Sequence, residues 1–355
     1  MSIITTMEEI TSIKGRGAQF NPVNPFDPGR HLKDPLTDPE ENIKTRYLEI
    51  EAKTIVNPVP SEDVGMEWSM NPYQGCEHGC IYCYARGSHQ YWGYSGGLEF
   101  ETNIQVKMNT AELLLRHLSK KSWEAAPIVM SGNTDCYQPA EAKYKITRAC
   151  LEIFRDLRHP VGIITKNSMI LRDLDILKKL AKDNLVHVNV SFTTLDESLR
   201  QVMEPRTASS RKRLEVIQVL SDNGIPVRAM IAPIIPGLTD SEILPMIKAV
   251  ADAGARAISH IIVRLNGVVE PIFIDWVERK YPDRAERILN RIRDCHGGQL
   301  HNYISGKRMK GEGNVSEMIA QQVALGRKLY LQDREIPPYN LDLFKDNRPG
   351  QLSLF

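Results

Sequence analysis

From about Met66 onward, short apolar runs rich in β-branched residues alternate with amphipathic segments, and this alternation restricts the fold more than any other feature. The runs fall at residues 127–130, 161–165, 186–192, 227–231 and 257–263, with a first one near 68–71. Between them, residues 111–120, 146–157, 174–181, 213–220 and 243–251 carry apolar side chains at helical spacing. Parallel neighbours need a crossover connection, which a helix supplies, so repeated strand-helix units predict a parallel sheet. About six units are visible, fewer than the eight of a closed barrel. The expected fold is therefore α/β, a parallel sheet of about six strand-helix units over residues 65–266.

The flanks read differently. Residues 1–64 form an expected irregular arm, because stretches such as Phe20-Asn21-Pro22-Val23-Asn24-Pro25-Phe26-Asp27-Pro28 suit neither a helix nor a central strand. Phe20, Val23 and Phe26 predict that the arm packs across the barrel. After Asn266 the pattern turns helical at 271–280, 284–294 and 315–329, which predicts a helical cap over 267–332 followed by a tail, 333–355. The 355 residues, 42% hydrophobic and 25% charged, suffice for one large domain with these extensions. No stretch has the apolar length of a membrane span and the polar start lacks a secretory core, so a cytoplasmic protein is expected. Six cysteines fit a reducing compartment, and a net charge of +1 neither requires nor excludes nucleic acid.

Three of those cysteines are grouped. In Gly75-Cys76-Glu77-His78-Gly79-Cys80-Ile81-Tyr82-Cys83-Tyr84 the spacing lets three thiolates surround one cuboidal metal centre. A 4Fe-4S cluster ordinarily takes four thiolates, so a three-cysteine loop leaves one iron for another ligand. The competing reading is a zinc site completed by His78, although no second Cys/His pair of metal-ligand spacing follows; Cys136, Cys150 and Cys295 stand alone. This C-x3-C-x2-C segment, with the aromatic Tyr82 before its last cysteine, resembles the signature of the radical SAM superfamily. The resemblance implies a partial (β/α)6 TIM barrel with its site at the carboxyl ends of the strands, cluster ligation by Cys76, Cys80 and Cys83, and S-adenosyl-L-methionine as a cofactor cleaved reductively to a 5'-deoxyadenosyl radical by electrons from a cytosolic donor.

The same resemblance assigns expected roles at the strand ends. Gly132, Asn133, Thr134 and Asp135 occupy the place of the motif that binds the methionine amino group, although only one glycine is present. Ser191 and Thr193 lie where family members contact ribose, Ile235 in Pro233-Ile234-Ile235-Pro236-Gly237 is expected against adenine, and Arg206 suits the cofactor carboxylate. For each, a structural role is the alternative. Residues 66–263 look most like the branch containing spore photoproduct lyase, also labelled DNA repair photolyase. That likeness implies a lyase-type repair or modification of nucleic acid, with Tyr84 and a cysteine returning hydrogen. By that register Gly132 stands where the donor cysteine is expected; Cys136, four residues on, is the candidate substitute, or else a buried inert thiol. Arg86, Arg206, Arg211, Lys212 and Arg213 are candidates for a basic groove beside the site.

At the carboxyl terminus, Gln351-Leu352-Ser353-Leu354-Phe355 is similar to the bacterial sliding-clamp-binding peptide, in which Gln351, Leu352, Leu354 and Phe355 would make the contacts. Asn340-Leu341-Asp342-Leu343-Phe344 is a near copy, which suits either a second docking peptide or a strap packed on the barrel. Two other functions remain open at this level: radical modification of RNA or of a protein residue, and a clamp-associated protein with a structural iron-sulfur cluster.

Overall fold

The computed structural model describes residues 13–29 and 44–345. Among these residues the strands are β1 Arg46–Ile50, β2 Val56–Pro58, β3 Trp68–Met70, β4 Tyr73–Gln74, β5 Asn103–Lys107, β6 Ile128–Met130, β7 Val161–Thr165, β8 Val186–Phe192, β9 Val227–Ile234 and β10 Ala257–Ile262. Seven of them form one sheet in the order β10-β9-β8-β7-β6-β3-β2. The six from β3 to β10 are parallel to their neighbours, and β2 runs antiparallel on β3. β10 and β2 are its two edges, so the barrel is incomplete, with six parallel strands as the alternation of the sequence predicts.

Burial explains why these runs become strands. In β7, Val161 and Ile163 are fully buried, and in β8 Val186, Val188, Val190 and Phe192 point into the core while His187 and Asn189 are only partly covered. The helix Ile146–Asp156 buries Ile146, Cys150, Leu151 and Phe154, one stripe at helical spacing. The helix Ser210–Asp222 begins at Ser209, whose side chain accepts a bond from the Lys212 amide. Beyond the sheet come the helices Val269–Lys280, Ala285–Asp294 and Asn314–Tyr330. The last packs on Ile243–Asp252 through Gly326, where an added Cβ would meet Ile247 at 2.6 Å. No helix among the described residues is long and apolar enough to cross a membrane.

The arm departs from expectation in two ways. It contains β1 and β2, and β1 joins β5 and β4 in a small three-stranded sheet. These strands are short and lie at sheet edges, so their hydrophobic pattern is weak. Of the three side chains expected to pack, Phe20 does so against the core containing Ile81 and Leu98, whereas Val23 and Phe26 are 71% and 60% exposed, Phe26 with its ring 4.7 Å from that of Tyr91. The arm is anchored instead by Ile13 and Ala18, which are buried, and by backbone amides of Gly17 and Ala18 that donate to the Glu101 carboxylate at 3.0 and 2.8 Å.

The near copy of the clamp-like peptide is a strap. Tyr339 stacks on His187 at 3.7 Å, the Pro337 carbonyl lies 2.9 Å from His187 Nε2, and the Asn340 amide donates to Asn184. Phe344 is fully buried, edge-on to His159 at 4.8 Å. Its buried phenyl ring is therefore withdrawn from any second docking peptide. Gln351, Leu352, Leu354 and Phe355 lie outside the described residues. The strap's partners sit at the starts of β7 and β8, so it covers the end of the sheet opposite the predicted site.

Burial lowers both His159 and His187 to about 4. A histidine whose folded value lies below its unfolded value, about 6.5, contributes fully above that pH and loses its contribution as pH falls toward 4. Hydrogen-exchange protection at 337–344, corrected for the intrinsic rate at each pH, should therefore fall between about pH 6.5 and 4 before that of the core strands does. Phe344→Ala should cost about 3–5 kcal/mol in denaturant unfolding, the range for emptying a buried phenyl site.

Candidate active site

The cysteine loop leaves β4 at the carboxyl end of the sheet and needs two glycines to turn. Gly75 and Gly79 have φ of 80° and 67°, and a Cβ on Gly79 would lie 2.7 Å from Glu101 Oε2. Glu101 is fully buried and pairs with the equally buried Arg86 at 2.6 Å. Arg86 also donates through Nε to the Cys80 carbonyl and through Nη1 to the carbonyls of Gly96 and Gly97, each at 3.0 Å. One ion pair thus ties together the cysteine loop, residues 96–101 and the arm.

A second buried pair lies behind Tyr82. The Tyr82 hydroxyl donates to Glu204, which also accepts from Arg213; Arg213 further reaches the Ser191 carbonyl at 3.1 Å and that of Ala208 at 2.9 Å. Burial alone would raise Glu204, but Arg213 and then Lys166 outweigh it and hold the carboxyl at about 2. The pair therefore orients the aromatic residue that precedes Cys83.

The three cysteines open on one cavity of about 530 Å³. Burial pushes all three thiols up, and the neighbouring cysteines add to this at Cys76 and Cys80, so ligation requires a centre whose positive charge compensates for release of the thiol protons. Both ring nitrogens of His78 are engaged, Nδ1 3.4 Å from Asp135 and Nε2 3.3 Å from Asn167. Among the described residues no three His, Cys, Asp or Glu side chains converge as a single ion requires. With both nitrogens engaged, His78 is not placed to complete a zinc site, which leaves the three cysteines as the donor set for a metal centre.

Tyr82, Tyr84, Gly132, Asn133, Asp135 and Ser191 also line the cavity. The Tyr84 hydroxyl donates to the Gly132 carbonyl, and the Asn133 side chain donates to Ser88 at 2.8 Å. Asp135 accepts from Thr165 Oγ1 at 2.9 Å and the Lys166 amide at 2.8 Å, locking the end of β6 to the end of β7. The other expected residues do not line it. Thr134 is bonded to the Tyr73 carbonyl, Thr193 is buried with its hydroxyl unpaired among the described residues, and Ile235 is fully buried. Arg206 is paired with Glu77 at 3.2 Å. Cys136 is fully buried in the core beneath the loop, its thiol pushed up by burial.

The expected basic groove is also different. Arg86 and Arg213 are buried structural cations, and Lys212 pairs with Glu215 on an exposed helix turn. The cavity instead presents Lys166, Arg264 and Arg308. Lys166 directly follows β7, its ammonium 5.9 Å from the Tyr82 ring centre. A lysine just after an apolar strand at the active end is a readable signal; Arg264, two residues beyond β10, carries a similar one.

With this geometry in place the relationships are plain. The profile of the Radical SAM superfamily matches residues 70–250, and the chain belongs to that superfamily. An uncharacterized protein of Mycobacterium bovis is 31% identical, over 68% of this chain and 72% of its own length. The Radical SAM Nalpha-GlyT isomerase of Pseudomonas phage M6 is 28% identical over 64% of this chain, which is 46% of the phage protein. In fold, the chain is similar to a spore photoproduct lyase variant with bound AdoMet and dinucleoside spore photoproduct, with TM-score 0.61 and 12% identity across 85% of this chain and 84% of the other.

Glu204→Gln should leave Arg213 as an unmatched buried charge and cost about 3–5 kcal/mol. Because Glu204 is held below its ordinary value, its contribution is fully present above about pH 4.5 and is lost as pH falls toward about 2. Denaturant unfolding should therefore show the deficit of the variant undiminished from pH 8 to 5 and shrinking below that.

Proposed function

We propose that the chain holds a 4Fe-4S cluster on Cys76, Cys80 and Cys83 and uses S-adenosyl-L-methionine for radical chemistry on a nucleic-acid base. The observation that carries this reading is the convergence of all three cysteines on one cavity that also contains Tyr84, Asn133, Ser191 and Lys166. With its cofactor bound, the cluster supplies the one-electron cleavage of a sulfonium bond that yields a 5'-deoxyadenosyl radical.

The protein's own groups then have distinct tasks. Lys166 takes over the role expected of Arg206, because its ammonium faces the cavity and has no hydrogen bond among the described residues, whereas Arg206 is occupied by Glu77. Asn133 and Ser191 offer polar contacts to the amino acid and ribose portions of the cofactor. Tyr84 is the candidate for hydrogen transfer. Cys136 has no face on the cavity, which favours a base modification or rearrangement over a reaction that needs a protein thiol to return hydrogen. A nucleic-acid substrate is supported by the fold shared with a lyase holding a dinucleoside spore photoproduct. The tail peptide Gln351–Phe355, through its likeness to clamp-binding peptides, would bring this chemistry to replicating DNA in the cytoplasm, with a cytosolic reductant as electron donor.

Anaerobic reconstitution should give about four irons per chain, matching the proposed cluster. Its reduced paramagnetic spectrum should change on adding S-adenosylmethionine, with release of 5'-deoxyadenosine. An unchanged spectrum with no cleavage would refute the reading and leave a structural cluster. Replacing any one of Cys76, Cys80 or Cys83 by Ala should abolish both signals. Lys166→Gln should retain the cluster but raise the cofactor concentration needed for the spectral change about tenfold, the loss of one charge-assisted contact.

A further inference from the structure

Two cations face the cavity without a hydrogen bond or ion pair among the described residues. Lys166 follows β7 and Arg264 follows β10, three strands away in the sheet. At about 4.8 Å per strand their backbones leave the sheet roughly 14 Å apart, so they are suited to two different anionic groups. Lys166 lies over Tyr82 in the cysteine loop and is already assigned to the cofactor.

Arg264 has different surroundings. It is half-buried, and its charge is felt most by Arg308, Tyr84 and Asp63. Arg308 does not relieve it. The Arg308 guanidinium is engaged with Asp63 through Nε and with Ser61 Oγ at 2.7 Å, and Asp63 also accepts the Gly306 amide at 2.6 Å. This loop is pinned to the sheet where the Ile262 amide donates to the Met309 carbonyl at 3.0 Å. Asp63 therefore balances one guanidinium of two, and the unmatched charge is that of Arg264. Burial and the neighbouring Arg308 both act against its charged form, a cost that a bound anion would relieve.

The rest of this wall is apolar and soft, with Met66, Met230, Met309 and Ile261 lining the cavity. Thioethers adapt to a flat ring without fixing its edge contacts. A guanidinium beside such a wall suits a ligand with a planar ring and an anionic oxygen pair, since its donor fork matches phosphate bidentately.

We propose that Arg264 binds the phosphodiester adjoining the target base, while the methionine-rich wall receives the base itself. This assignment rests on the nucleic-acid reading of the same cavity and names the group that anchors the substrate. The phosphate stays at the mouth, where its charge meets Arg264, and the base passes inward toward Tyr84.

The test uses the full-length, cluster-loaded protein and a labelled single-stranded oligothymidylate of about ten nucleotides, a length in the range of single-strand binding sites. R264Q should bind it about tenfold more weakly than the wild type, with the slope of log affinity against log salt reduced by about one. R264K, which keeps the charge but not the donor fork, should keep the salt slope of the wild type with an affinity between those of the wild type and R264Q, and controls for folding. An uncharged methylphosphonate oligomer should bind wild type and R264Q equally. Equal binding of the phosphodiester probe by both proteins, an equal loss on the neutral probe, or no binding by the wild type would each overturn the assignment. So would Arg264-dependent binding of an acidic peptide probe in place of the oligonucleotide. Deoxyadenosine release by the wild type without substrate, followed in parallel, reports on the radical chemistry alone. Its absence together with Arg264-dependent binding would refute the proposed reaction and leave the phosphate site standing.

Discussion

The buried pair of Arg86 and Glu101 is the interaction on which the site depends. A cysteine loop that must hold three thiolates cannot rely on hydrophobic packing, because its backbone polar groups turn inward. Here one guanidinium takes the carbonyls of Cys80, Gly96 and Gly97, and one carboxylate takes two amides of the arm. Buried ion pairs often add little net stability, yet losing one partner leaves a charge that water cannot reach. The pair is therefore better understood as a device that fixes geometry. It also explains why the arm, poor in packed aromatic side chains, is nevertheless held in place: Gly17 approaches the Gly79 carbonyl so closely that a Cβ would overlap it at 1.8 Å.

The parallel sheet supplies the other constraint. Since β3 and β6 to β10 all run the same way, their carboxyl ends deliver Asn71, Ser131, Lys166, Thr193, Pro236 and Arg264 to one side of the molecule within two residues of a strand end. The cysteine loop enters from the same side, and the strap of residues 337–344 covers the opposite one. The two ends are therefore free to serve different purposes, chemistry at one and anchoring of the tail at the other. At these ends Asn71, Ser131, Lys166 and Arg264 reach the cavity, whereas Thr193 and Ile235, equally close to a strand end, and Cys136 are buried in the packed layer behind it.

Much of this was readable in the residues, and the exceptions have physical causes. β7 and β8 were visible to the residue because each is a buried run bounded by polar turns, and the cluster loop because cysteine spacing is a covalent constraint on ligand geometry. What escaped notice depended on pairing between distant segments. Nothing local marks Arg86 or Arg213 as buried, since an arginine is ordinarily exposed and only Glu101 and Glu204 make its burial tolerable. β1 escaped because a short edge strand carries no sustained apolar period, and β5, central in the small sheet, because Ile104 and Val106 alternate over only five residues. Arg206 resembled a carboxylate ligand by type and position, but Glu77, far away in sequence, had already claimed it.

The position of Cys136 bears most directly on the kind of reaction this fold supports. A thiol that returns hydrogen to a substrate radical must meet it within the cavity, yet Cys136 sits below Ser131, its amide bonded to that hydroxyl and its carbonyl to Thr147. To reach the cavity it would have to break both bonds and empty a fully buried core position. Tyr84 faces no such barrier, being half exposed beside Cys83 with its hydroxyl held by the Gly132 carbonyl. That backbone oxygen belongs to the residue whose missing side chain leaves room there, and a Cβ on Gly132 would lie only 2.9 Å from Ser69. The loop from Ser131 to Cys136 is therefore packed around a glycine, a tyrosine contact and a buried thiol, so of the two side chains only Tyr84 meets the cavity.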